Sequence, residues 1–218
     1  MVPMLTVIAC LAGVIATLVT AEVLWKRKIL RGEKQRKFVH ILIGTFIAFW
    51  PWLMSWQAIQ LIAVGLLAGV LLNRYRKTLH YTEGLNRTTY GDIFFTLAIL
   101  LCALLTDNKV FFLVAILHMS LADGLAAVAG KIAGKKWSYQ VFGQTKTVIG
   151  TMTFWIVSVS ILGIGTLFAH ELITFDSYAV VLLVLPPILT FLENASPLGS
   201  DNVTVPIVAL LALQIAQT

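Results

Sequence analysis

Apolar stretches follow one another along this chain with so little between them that no soluble core could absorb them all. They lie near residues 4–25, 38–53, 57–72, 92–106, 110–130, 148–169, 178–193 and 203–217. A helix rising about 1.5 Å per residue needs about 20 such residues to cross a hydrocarbon core of about 30 Å. Backbone placed in lipid must satisfy its own hydrogen bonds, and runs of this length do so as helices. The expectation is an all-α, polytopic transmembrane helical bundle of about eight spans, some short or broken, forming a single domain over residues 1–218. Composition agrees, with 59% hydrophobic residues and a mean hydropathy of +0.90.

The basic residues suggest which way the bundle faces. Seven of the sixteen Lys and Arg lie in "KRKILRGEKQRK" (26–37), four in the segment 73–91 and four in "KIAGKKWSYQVFGQTK" (131–146), leaving only Lys109 elsewhere. Cytoplasmic loops carry the excess of positive charge. With eight spans these three loops share one face, so they are expected in the cytoplasm, with both termini outside. The net charge of +6 does not imply a nucleic-acid partner, because juxtamembrane bases are accounted for by anionic lipid headgroups. Cys10 and Cys102 sit in apolar runs without CxxC spacing, which indicates neither a disulfide framework nor a zinc site.

Within "HMSLADGLAAVAGKIAGKKW" (118–137) an aspartate, Asp123, interrupts residues suited to lipid. A charge in the middle of a span costs about 2.5 to 3.5 kcal/mol on insertion scales, so something must offset it. At 100° per residue Ala127, Gly130 and Gly134 share the face of Asp123, with Ser120 and Ala126 to either side, and this bare strip leads to Lys131, Lys135 and Lys136. Helix packing explains the glycines equally well, but packing has no need of a carboxylate. The functional reading is a groove where an anion approaches backbone and Asp123 holds a divalent cation against phosphate oxygens, as Mg²⁺ is commonly held.

Other polar groups map to the same level. Arg36 and Lys37 open the second span in "RKFVHILIG", where positive-inside anchoring also explains them, and His40 lies inside the apolar run, where it needs a polar partner or a water-lined cavity. Asp92 reads best as a helix N-terminal cap. Lys146 and Thr147 precede a helix whose first turn holds Gly150 and Thr151, a set suited to phosphate at a helix N-terminus, although no Walker A loop occurs. In "ENASPLGSDN" Glu193 closes one span while Asp201 and Asn202 open the next. This inner connection lacks bases and carries two carboxylates, which points to a cation site. Irregular backbone there is tolerated at membrane depth only where protein buries it or it lines a cavity. Any chemistry is therefore expected at the cytoplasmic end.

"RKFVHILIG", "TTYGDIFF", "LADGLAAVAGKIAGKKW", "GQTKTVIGTMTF" and "ENASPLGSDNVTVP", in this order between residues 36 and 206, together resemble the polyprenol kinase family. Its members include dolichol kinase, phytol kinase and CTP-dependent diacylglycerol kinase, and it is related to the CTP:phosphatidate cytidylyltransferases. The resemblance implies transfer of the γ-phosphate of CTP, with Mg²⁺, to the hydroxyl of a membrane lipid alcohol. By the same resemblance Arg36 and Lys37 match the family's basic pair, Asp123 its essential aspartate, and Gly130 and Gly134 the glycines that follow. Lys146, Thr147, Gly150 and Thr151 fall in the segment associated with CTP. Glu193, Asp201 and Asn202 fall in the terminal acidic motif. The competing functions are nucleotidyl transfer from CTP to a lipid phosphate and, from another class, an ion-coupled transporter with a broken last helix. A transporter should carry polar groups to the midplane and both vestibules, whereas these gather at one face.

Overall fold

A computed structural model describes residues 4–76, 89–134, 137–169 and 171–217. Most of the basic segment 73–91 lies outside the described residues, as do Lys135 and Lys136. Each apolar run contains helix: α1 (Met4–Lys26), α2 (Glu33–Ala48), the single turn α3 (Trp50–Leu53), α4 (Trp56–Arg76), α5 (Gly91–Leu105) and α6 (Lys109–Leu117) come first. A π turn (His118–Ala122) then joins α6 to α7 (Asp123–Ile132), and α8 (Val148–Leu167), α9 (Phe175–Ala195) and α10 (Asp201–Ala216) complete the bundle.

Five of these helical stretches, Met4–Lys26, Trp56–Arg76, Lys109–Ile132, Val148–Leu167 and Phe175–Ala195, are long and apolar enough to cross a membrane. The remaining runs form α2, α5 and α10, of 15 or 16 residues, which are shorter than a full crossing requires. The architecture is that of a polytopic membrane bundle.

Lys109–Ile132 is the central stave. Of its most apolar stretch 67% is buried, against 17–28% for the other four long helices, so it is surrounded by protein while they present Leu61, Leu183 and Phe191 outward. Asn108 starts the stave by accepting the backbone N–H groups of Val110 and Phe111, satisfying donors that no helix can satisfy itself. Small residues let neighbours approach it closely. A Cβ placed on Gly44 of α2 would lie 2.3 Å from Ser120 Cβ, and one on Gly124 would lie 2.2 Å from Ile41 Cγ1.

The all-α expectation is corrected at one place. Residues 138–147, where the sequence predicts a loop, form an antiparallel hairpin of β1 (Ser138–Val141) and β2 (Gln144–Thr147). Its two-residue turn, Phe142-Gly143, has φ of 46° and 75°, the paired positive values of the tight turn whose twist matches two strands. The π turn also alters the strip expected along the Asp123 face, because the extra residue in the turn rotates what precedes it. Ser120 points away from that strip: it is buried, donates to the Ile116 carbonyl at 2.8 Å and packs on Gly44.

Candidate active site

One end of the bundle, where α2 and α8 begin, α7 and α9 end and the hairpin folds over, encloses a cavity of about 830 Å³. Asp123 stands in its wall because the π turn delivers it there as the first residue of α7. The small side chains of Ala126, Ala127 and Gly130 continue the wall down to Lys131, as the helical spacing predicted. Gly130 serves packing as well, since a Cβ there would lie 2.5 Å from Thr147 Oγ1 and 3.5 Å from Gly150 Cα.

Three carboxylates converge. Asp123 and Glu193 are buried and Asp201 is half-buried, and one ligand oxygen from each lies within 4.8 Å of the others. Two ligands of one Mg²⁺ at about 2.0 to 2.1 Å stand at most about 4.2 Å apart, so small rotations or one bridging water bring this all-oxygen set to the geometry of a hard cation. The cluster is therefore able to hold a metal ion.

The bases interleave with the acids. Lys37 Nζ lies 2.5 Å from Asp123 Oδ2, and Lys146 Nζ lies 2.5 Å from Glu193 Oε1 and donates to the Glu193 carbonyl at 2.9 Å. Arg36 donates through Nε and Nη2 to the two carboxylate oxygens of Glu33, at 3.0 and 2.5 Å. Burial alone would lower the pKa of the Lys146 ammonium, but the adjacent Glu193 carboxylate, with Asp201 beyond it, outweighs that and holds it above its ordinary value. The cavity is lined by four acids, Glu33, Asp123, Glu193 and Asp201, and four bases, Arg36, Lys37, Lys131 and Lys146. Such a lining brings both signs of charge into one cavity.

Thr147 caps α8 by accepting the Gly150 N–H at 3.1 Å, and Thr151 donates to Asn194 Oδ1 at 3.1 Å. Thr147, Gly150 and Thr151 all face the cavity, as does Asn202, whose amide also donates to the Gly91 carbonyl at 2.7 Å. That bond belongs to a clasp between the α9–α10 turn and the start of α5, in which the Tyr90 N–H donates to the Leu198 carbonyl at 2.9 Å. The irregular connection is thus pinned to α5, and its Pro197, Leu198 and Gly199 line the cavity.

Not every expected residue joins the cavity wall. His40 lies behind Asp123, its Nε2 donating to the Met119 carbonyl at 2.8 Å and standing 3.2 Å from Asp123 Oδ2. Its need for polar partners is met there, outside the lining of the main cavity. Gly134 lies past the end of α7 with φ of 69° and open space around it, so it ends a helix where a left-handed residue is needed. Lys135 is outside the described residues. Asp92 does not cap α5: Tyr90 occupies the cap position, and the Asp92 carboxylate instead pairs with Arg74 of α4. Sequence reasoning missed Gln144, Thr145 and Phe142, which the hairpin brings to the cavity; the signal available was the two-residue Phe-Gly turn between short alternating segments.

Fold and site together define an integral membrane protein with a two-signed polar cavity at one end of its helical bundle. No protein-family model matches the chain, and no solved structure does. Phytol kinase of Synechocystis sp. is 33% identical in a match covering 88% of this chain and 83% of that protein. The chain belongs to the polyprenol/phytol kinase superfamily.

Proposed function

We propose that this protein is a CTP-dependent kinase that transfers the γ-phosphate to the hydroxyl of a membrane lipid alcohol, of polyprenol, phytol or diacylglycerol type, at the cytoplasmic face. The observation that carries this reading is the convergence of Asp123, Glu193 and Asp201 within 4.8 Å in a cavity also lined by Arg36, Lys37 and Lys146. Phosphoryl transfer rests on positioning and charge neutralisation more than on covalent help, and these residues supply both. The alcohol oxygen forms the new bond to the γ-phosphorus, the bond from that phosphorus to the β–γ bridging oxygen breaks, CDP leaves, and the hydroxyl proton passes to a carboxylate of the cluster. Mg²⁺, held by the three carboxylates, would neutralise charge on the phosphate oxygens. Lys37, Lys146 and Arg36 would bind and orient the triphosphate, aided by Lys131 and the Thr147–Thr151 turn. CTP as donor comes from the family resemblance, since nothing in the cavity identifies a base.

The test is purified protein in lipid nanodiscs with Mg²⁺, a panel of lipid alcohols, and CTP labelled at either the α or the γ position. The γ label is expected in the lipid, and removing the divalent cation should abolish the transfer. Appearance of the α label in lipid would reassign the chain to nucleotidyl transfer, and equal use of ATP would remove the CTP specificity.

A further inference from the structure

On the other side of α2 from the acid-lined cavity, a second cavity of about 230 Å³ runs between α1, α2, α4 and α5. Val14, Leu18, Ile43, Leu66, Val70 and Phe95 give it hydrocarbon walls. Its polar groups, among them Arg36, His40 and Asp92, gather at one end, where α2 and α5 begin and α4 finishes. From Gly65 to Asn73 on α4 the groove extends roughly 12 Å at helical rise.

Gly65 and Gly69 also line it. Two glycines at this spacing ordinarily mark a seam where another helix packs closely. Here a Cβ added to either would meet nothing within 4 Å, and both residues are exposed. α1 packs on α2 and α4 on α5, and the groove lies between these pairs, open sideways to the bilayer.

The two cavities share a wall. Arg36 lines both, and His40, which lines the apolar groove, stands 3.2 Å from the Asp123 carboxylate, which lines the polar cavity. A reaction between an amphiphile dissolved in lipid and a polyanion dissolved in water needs this arrangement of two compartments meeting at a polar partition.

We propose that the groove between α1, α2, α4 and α5 holds the hydrocarbon chain of the lipid alcohol, with its hydroxyl at the Arg36–His40 end. The identity of the occupant rests on the kinase reading; the presence of a lipid chain in the groove does not. Entry is lateral, between α1 and α4, so the alcohol reaches the partition without leaving the membrane.

The experiment uses full-length protein in nanodiscs and a long-chain isoprenoid alcohol carrying a diazirine on its chain. Photolysis should label the α4 segment between Gly65 and Asn73, and unmodified alcohol should compete. Gly69→Leu, whose Cβ has open space and which improves helix propensity, should cut this labelling at least about tenfold. It should also raise KM for the long alcohol at least about tenfold relative to a short-chain one. Leu183→Phe, exposed on α9, which contributes nothing to the groove, should change neither. Labelling spread over α8 and α9 without competition would overturn the proposal, as would an unchanged KM ratio in Gly69→Leu. A shift from dimer to monomer in Gly69→Leu with no change in labelling would give the groove to a second copy of the chain and also overturn it. Competed labelling of α4 in wild-type protein that moves no phosphate from CTP would support the groove and remove only the kinase reading.

Discussion

Asp123 is held by Lys37 at 2.5 Å and His40 at 3.2 Å, so it has structural partners as well as a place beside Glu193 and Asp201. Asp123→Asn separates these roles, because the amide oxygen still accepts from Lys37 while the charge is gone. We expect an inserted, folded protein whose lipid phosphorylation falls at least about 100-fold, since preorganised charge of this kind supplies several kcal/mol in the transition state. Near-normal melting in detergent with about a hundredth of wild-type turnover or less fits this expectation; a stable, inserted variant that keeps more than about a tenth of wild-type turnover would return the residue to a structural role. Lys146 gives a second test. Its pKa is raised in the folded protein, so its ion pair stabilises fully below the unfolded lysine value of about 10.4 and is lost only as pH rises through the higher folded value. The difference in melting temperature between wild type and Lys146→Met should therefore be the same at pH 7 and pH 9, and a difference that shrinks across that interval would contradict the pairing. Asp123 was legible in the sequence because a carboxylate in an apolar run is costly. Its pairing with Lys37 was not, since 86 residues separate them and neither residue's local pattern encodes the other.

At the level of elements, the seam between α2 and the π turn leaves no room for an added side chain on Gly44. Gly44→Ala would place its methyl 2.3 Å from Ser120 Cβ, and overpacking of this kind typically costs about 1 to 3 kcal/mol. The variant should melt lower in detergent, and adding Ser120→Gly, which removes the opposing atom, should restore part of the loss; equal melting of the single and double variants would show that the seam yields elsewhere. Hydrophobic runs announce helices, which is why every run recovered one. The π turn carries no such mark, because its extra residue is selected by the fit of α2 and α8 around the central stave and not by the residues His118–Ala122 themselves. The hairpin was missed for a different reason: its turn uses Phe142 at positive φ, a conformation that Asn or Gly would have advertised.

For the molecule as a whole, the excess of positive charge in the basic loops predicts that the cavity faces the cytoplasm. Single cysteines at Lys28 and Trp137, in a background lacking Cys10 and Cys102, should resist an impermeant thiol reagent in intact cells, whereas a cysteine at Asp107, exposed between α5 and α6, should react. The reverse pattern would invert the bundle. The cavity's four acids and four bases have a consequence for the order of events. Lys37 with Asp123, Lys146 with Glu193 and Arg36 with Glu33 neutralise one another in advance, so a polyanion arriving alone would have to strip bases from carboxylates and leave those carboxylates stranded. A cation arriving alone would strand the bases in the same way. Arriving together, the two would exchange partners with the protein and leave no charge unmatched, so under the proposed function each ligand is expected to strengthen the other's binding, by an equal factor in both directions.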